Sequence, residues 1–191
     1  MVTEERAGEI LERVGVLLNG HFILTSGRHS DRYMQCARLF TRSEYASEMC
    51  ASLAEQFAGE RVDCVIGPAL GAVQMAYEVS RHLGCPNMFA ERADGVMTLR
   101  RGFTVEKGER FLVVEDTVTT GGSVREVIDL VRGAGGIVCG VGAIVDRSAG
   151  KVDFGVPLRA VLSVDIPSWE VGDCPLCREG IPAVKPGSRK A

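Results

Sequence analysis

The sequence predicts an α/β fold in which a central parallel sheet is flanked by helices. Three observations lead there. Beyond residue 60, short apolar runs alternate with amphipathic stretches of helical spacing. A strand–helix–strand order of this kind joins parallel strands through crossovers, which places helices on both faces of the sheet. The 191 residues suffice for one domain with its own core and not comfortably for two, so 1–191 is read as a single domain.

Taken in order, Ala7, Ile10, Leu11, Val14, Leu17 and Leu18 recur at helical spacing, with Thr3 as N-cap and Gly20 past the end. Residues 21–40 are turn-rich. Tyr45, Ala46, Met49, Cys50, Leu53, Ala54 and Phe57 mark a second amphipathic helix that stops near Gly59. Residues 62–66 read as a buried strand, 72–83 as a helix ended by Gly84, and 87–90 as a short strand. Residues 111–114 form a strong strand, followed by a loop and a helix from 122 to about 132. Residues 137–145 and 158–164 complete the strands. The tail, 174–191, is rich in Pro, Gly and basic residues and has no clear period.

The net charge of -3 argues against a general nucleic-acid binder, which needs a basic face. No apolar run approaches a membrane span, and the charged start at 1–6 does not read as a signal peptide, so a cytoplasmic chain is expected. Seven cysteines in irregular spacing, most within apolar runs, make a poor disulfide framework and fit reduced core thiols.

Chemistry concentrates in Phe111-Leu112-Val113-Val114-Glu115-Asp116-Thr117-Val118-Thr119-Thr120-Gly121-Gly122-Ser123. An apolar strand delivers two acids to its carboxyl end, and a hydroxyl- and glycine-rich loop then opens a helix. The glycines let backbone N–H groups approach a ligand, and the helix N-terminus favours a phosphate. Paired carboxylates at a strand end are costly without a partner, and they suit the hydroxyls of a ribose. The pattern asks for a sugar phosphate, acids on the diol and loop on the 5′-phosphate. The Gly-Lys-Ser/Thr ending of a nucleotide-triphosphate loop is absent.

This segment resembles the phosphoribosyl-diphosphate motif of type I phosphoribosyltransferases. The resemblance implies that fold, with a small hood formed by N- and C-terminal segments, about 1–40 and about 165–191. It implies that Glu115 and Asp116 hold the ribose and that Thr117, Val118, Thr119, Thr120, Gly121, Gly122 and Ser123 hold the phosphate. A second strand–turn–helix, Val65-Ile66-Gly67-Pro68-Ala69-Leu70-Gly71-Ala72, is similar to the family's diphosphate loop, which assigns Ala69 and Leu70 to the same substrate.

The stretch from Gly20 to Gln35 resembles the substrate-binding stretch of the orotate branch of the family. Tyr33 and Met34 fall where that branch stacks on the base, and Thr25 to Arg28 fall along its edge. Arg147, after the strand 137–145, matches an arginine that contacts orotate, and a guanidinium can grip a carboxylate through two hydrogen bonds. Thr119 matches a residue also near the base. Three places where many relatives carry lysine read Thr25, Gly71 and Val96 here. Val96 falls in a mobile loop, about 92–101, that closes over the neighbouring subunit's site. Arg92, Arg100 and Arg101 are the cations left there for the diphosphate, Arg100 and Arg101 with a catalytic role.

The resemblance further implies transfer of ribose 5-phosphate to orotate, Mg2+ carried mainly by the diphosphate and ribose of the substrate, and a homodimer. No protein-only metal site is expected. Cys174-Pro175-Leu176-Cys177 supplies two of the four ligands a structural zinc needs, and His21, His29 and His82 are remote in sequence, so two packed or exposed thiols are expected. A purine-base transferase would keep the ribose-phosphate motif without needing the 20–35 stretch or Arg147. A phosphoribosyl-diphosphate-sensing transcription regulator would need a DNA-binding domain or a basic face.

Overall fold

The structure, a computed structural model, describes residues 1–24 and 26–186. Helix α1 (Glu4–Arg13) leads into an antiparallel pair, β1 (Leu17–Ile23) and β2 (His29–Met34). A 3-10 turn and α2 (Ser43–Gln56) follow. Then come β3 (Cys64–Pro68), α3 (Val73–Leu83), β4 (Asn87–Ala93), β5 (Val96–Thr98), β6 (Arg110–Val118), α4 (Gly122–Gly133), β7 (Ile137–Asp146), β8 (Leu158–Ser163) and the short α5 (Pro175–Arg178).

The sheet order is β5-β4-β3-β6-β7-β8, parallel except for β5. From β3 the chain steps one way to β4, and from β6 it steps the other way to β7. Right-handed crossovers in opposite directions put their helices on opposite faces. The core shows this. On β6, Leu112 and Val114 join the cluster of α1, α2 and α3, while Phe111 and Val113 join Val124, Val127, Ile128 and Val131 of α4. The strand order therefore reverses between β3 and β6, where ligands bind in open α/β sheets.

Two expectations are corrected. The first helix ends at Arg13, and Leu17 and Leu18 belong to β1. Gly15 stands at φ +66°, a left-handed turn that breaks the helical repeat, and a Cβ there would lie 2.9 Å from Arg38 Nη1. Thr3 caps the helix as expected, accepting the Arg6 N–H at 3.2 Å. The segment expected as a loop at 92–101 is a hairpin over most of its length, with β4 and β5 joined by Asp94-Gly95, both at positive φ.

α2 rests directly on β7. A Cβ on Gly140 would lie 2.7 Å from Phe57 Cε1 and 3.4 Å from Pro157 O, and one on Gly142 would lie 3.0 Å from Leu53 Cδ2. Gly140→Ala is therefore expected to overpack this contact and cost about 1–3 kcal/mol. That corresponds to a fall in Tm of roughly 2–4 °C per kcal/mol for a chain of this size. An unchanged Tm would mean that α2 moves away at no cost.

Candidate active site

The carboxyl ends of β3, β6 and β7 lie side by side, and each delivers one candidate segment. Pairing of Thr117 with Val145 and of Val118 with Asp146 sets the acids of β6 beside the end of β7, where the Arg147 N–H donates to the Val118 carbonyl at 2.8 Å. β3 delivers residues 69–71. The Ala69–Leu70 peptide is cis, Leu70 is exposed, and the Ala69 N–H donates to Ala90 O at 2.7 Å. A Cβ on Gly71 would lie 3.0 Å from Asp116 Oδ2. The diphosphate-type loop and the acid pair are thus in contact, with glycine as the spacer.

Asp116 is half-buried. Burial pushes its carboxyl above the ordinary carboxylate value, partly offset by the Thr117 backbone N–H. Glu115 and Thr117 are half-buried too, and the Thr117 hydroxyl donates to Cys36 Sγ at 2.9 Å. Cys36 is buried. Its thiol is pushed up to about 12, by burial first and by Asp116 next, so it stays neutral. A lone cysteine between Gln35 and Ala37 gives no signal in the sequence. In space it ties the 3-10 turn after β2 to the acid strand.

Thr119 and Thr120 are exposed on the loop, and Gly121, at φ +73°, opens α4. A Cβ on Gly121 would meet the Phe154 ring at 2.7 Å, so the turn requires glycine. Gly122 is exposed and Ser123 half-buried at the helix start. Val118 is buried in the α4-side core, which leaves only its backbone to face a ligand.

Arg147 and Tyr33 come together beside Asp116. Burial lowers the Arg147 guanidinium and raises the Tyr33 hydroxyl, and Arg147 and Asp116 act on Tyr33 with opposite signs. Arg147 Nε is buried without a hydrogen-bond partner, and among the described residues no carboxylate lies within ion-pair distance of its guanidinium. Met34 is different. Strand alternation turns it away from the Tyr33 side, and it is 7 % exposed among Ile10, Val16 and Leu39 of the core. The two were expected to stack together on the base; the structure packs Met34 in the core. Thr25 lies outside the described residues. Arg28 is engaged with the C-terminal segment, donating from Nε to Ser168 Oγ at 2.9 Å and pairing with Glu170.

The three hairpin arginines also separate. Arg92 is ion-paired with Glu126 of α4 at 2.6 Å and bonded to Gly95 O. Arg101 is paired with Glu91 at 3.2 Å and lies over the Phe89 ring at 5.6 Å. Arg100 is exposed, with no ion pair among the described residues. Val96, exposed on β5, offers no charge. At the other end of the β1–β2 hairpin, His21, His29, Cys174 and Cys177 form one cluster, which corrects the expectation that the CxxC pair lacks further ligands nearby.

A carboxylate held charged against its own burial is a stability cost. Folding favours the protonated form of Asp116. The cost therefore starts as pH rises past the unfolded-state value of roughly 4 and is complete above the raised folded-state value. Asp116→Asn is expected to raise Tm at neutral pH, with the gain shrinking as pH falls toward that lower value. A Tm difference that does not change with pH would mean that burial does not penalise this charge.

Comparison with known proteins agrees with this geometry. Residues 43–171 match the phosphoribosyl transferase domain family. The chain is 58% identical over 187 residues to an orotate phosphoribosyltransferase of Caldanaerobacter subterraneus, covering 98% of both chains. It is 56% identical over 181 residues to that of Thermotoga maritima, covering 95% of this chain and 97% of the other. Among solved structures, orotate phosphoribosyltransferase from Aeropyrum pernix superposes with a TM-score of 0.70 at 28% identity, over 82% of this chain and 92% of that one. An adenine phosphoribosyltransferase from Thermoanaerobacter pseudethanolicus, at 17% identity and TM-score 0.60 over 70% of this chain and 88% of the other, shares the fold. With an acid-ended strand, a glycine-spaced second loop and near full-length relatives at this identity, the chain belongs to the phosphoribosyltransferase family.

Proposed function

We infer that this enzyme is an orotate phosphoribosyltransferase. It transfers ribose 5-phosphate from 5-phosphoribosyl 1-diphosphate to orotate, giving orotidine 5′-monophosphate and diphosphate in pyrimidine biosynthesis. Its relatives carry that name over nearly their whole length. The observation that carries the base assignment is Arg147. A half-buried arginine whose buried Nε has no partner, beside Tyr33, suits a planar base that brings its own carboxylate. Purine bases and uracil bring none.

The reaction breaks the bond between the ribose anomeric carbon and the diphosphate oxygen and forms one to a ring nitrogen of orotate. Positive charge builds on the ribose and negative charge on the leaving group. We propose that Glu115 and Asp116 hold the ribose hydroxyls, and that Thr117 to Ser123 receive the 5′-phosphate at the start of α4. Ala69 and Leu70 would face the diphosphate, with Gly71 keeping that loop against Asp116. Tyr33 would lie on the base, Thr119 near it, and Arg147 on its carboxylate. Positioning and electrostatic stabilisation suffice, with no covalent enzyme intermediate.

Mg2+ takes oxygen ligands and retains substrate phosphates in its shell. The Glu115–Asp116 pair is the oxygen-rich edge of this site, so these carboxylates fit a role beside an ion brought by the substrate. When bound, the ion offsets charge on the departing diphosphate.

The hairpin arginines complete the reading. Arg92 and Arg101 are held by Glu126 and Glu91, so Arg100 is the cation free to meet diphosphate. We propose that it does so across a homodimer, over the neighbouring chain's site.

Two outcomes are expected. Among orotate, uracil, adenine, hypoxanthine and guanine, only orotate should release diphosphate at an appreciable kcat/KM, and Arg147→Leu should remove most of that preference. A purine turned over faster than orotate would overturn the base assignment. Arg100→Ala should lower kcat more than Arg101→Ala, because a leaving group that gains charge values a nearby cation most in the transition state. Mixed with inactive Asp116→Asn under subunit exchange, it should recover up to about a quarter of wild-type activity, one intact site in each mixed dimer. No recovery despite confirmed exchange would place the arginine in its own chain's site or on a bare surface.

A further inference from the structure

The cluster of His21, His29, Cys174 and Cys177 lies outside the site described above, and transfer of ribose phosphate does not use it. Its four ligand atoms all lie within 4.8 Å of one another. His21 Nε2 is 2.7 Å from His29 Nδ1, 3.4 Å from Cys174 Sγ and 3.8 Å from Cys177 Sγ, and Cys177 Sγ is 3.3 Å from His29 Nδ1. His21, His29 and Cys174 are buried, Cys177 is half-buried, and neither cysteine is in a disulfide.

We propose that these four side chains bind one structural zinc ion as a closed Cys2His2 site. Bond lengths of about 2.0–2.1 Å to nitrogen and 2.3 Å to sulfur give a tetrahedron with edges of about 3.3–3.8 Å. Three of the four distances above already fall at those edges. The two nitrogens need to open by roughly 0.6 Å to reach such an edge. Two sulfurs and two imidazoles in this arrangement select zinc over oxygen-seeking ions.

The orientation of His21 supports the assignment. Its Nδ1 faces the Ile181 carbonyl at 2.6 Å, and a carbonyl only accepts, so Nδ1 carries the proton. The lone pair of Nε2 then points into the cluster. A backbone carbonyl fixing the tautomer of a ligating histidine is the usual outer partner of a metal site. A hydrogen bond between the two histidines accounts for two nitrogens, but it does not explain why two sulfurs from a different segment converge on the same point. The cysteines would bind as thiolates, their two protons passing to solvent.

The ligands come from β1, β2 and the turn at the start of α5, so the ion would join segments 153 residues apart. The same two regions already meet through Phe22–Val184 and His29–Trp169 bridges. The site is closed, with four protein ligands and no open position, and is therefore structural.

The test uses the full-length, reduced protein. Zinc is quantified by mass spectrometry, removed with a chelator under denaturing conditions, and replaced by titration with Co2+. One zinc per chain is expected. One equivalent of cobalt should give thiolate charge-transfer and tetrahedral d–d absorption. Apo protein should melt lower by on the order of 10 °C, and zinc should restore it. Cys177→Ser and His29→Gln should each abolish the tetrahedral cobalt spectrum, whereas Cys139→Ser, on β7 away from the cluster, should keep it. Failure of reduced wild-type apo protein to take up stoichiometric zinc or cobalt at micromolar metal would overturn the proposal. So would a cobalt spectrum without thiolate bands, or a Cys174–Cys177 disulfide in the protein as isolated. Metal content and spectrum are read without any assay of transfer, so they stand or fall apart from the base assignment.

Discussion

The contact between β3 and β6 at their carboxyl ends governs the rest of the molecule. Gly67 would place a Cβ 2.8 Å from Val114 O and 2.6 Å from the Ala72 side chain, and Gly71 would place one 3.0 Å from Asp116 Oδ2. Backbone replaces side chain at both levels of this seam. The two loops are drawn together where the strand order reverses, so the cleft is formed by topology and then narrowed by two missing side chains. A lysine at position 71 would bring a cation next to Asp116. This chain leaves Asp116 facing glycine, and burial alone sets its carboxyl above the ordinary value.

The charges around that seam are kept apart from one another. Asp116 and Arg147 both influence Tyr33 and Cys36, yet the two do not form an ion pair with each other. Closing them on one another would neutralise both; apart, they keep the opposite charges that the proposed function assigns to a ribose and to a base carboxylate. Held apart, each bears its own desolvation cost, and the surrounding core supplies the stability that permits it. Val113 and Val114 are buried directly before the acids, and Val118 is buried one residue beyond Thr117, which follows them.

Much of this was legible in the sequence because local and global signals agreed. The alternation beyond residue 60 gave β3, α3, β6, α4 and β7 within a few residues, and the acid pair stood out because charge follows four apolar residues. The misses have separate causes. Leu17 and Leu18 kept helical spacing past a Gly15 whose left-handed turn ends the helix. Asp94-Gly95 is a hairpin signal, and it turns β4 into β5 within the stretch that the resemblance gives as a loop. The resemblance puts Tyr33 and Met34 on the base together, whereas a strand sends neighbours to opposite faces and Met34 is buried in the core. The partners of Arg92 and Arg101, Glu126 and Glu91, are fixed by tertiary packing alone. The approach of His21 and His29 to the CxxC pair spans more than 140 residues, and no spacing rule reaches that far.

The same C-terminal segment holds the β1–β2 pair in place. β1 and β2 form a separate two-stranded sheet, and such a pair is marginal by itself. Its buried side chains include His21, His29 and Ser30, which bring little apolar area to the core. Polar groups inside a protein hold position only when their bonds are satisfied. Here the C-terminal segment supplies the partners. Ser30 donates to Pro167 O at 2.8 Å, Arg28 engages Ser168 and Glu170, His29 and Trp169 exchange backbone bonds, and His21 meets Ile181 O. The strand that presents Tyr33 toward Arg147 is therefore fixed by directional bonds from the far end of the chain. The 165–186 segment is thereby part of what positions the β1–β2 pair, and through it Tyr33.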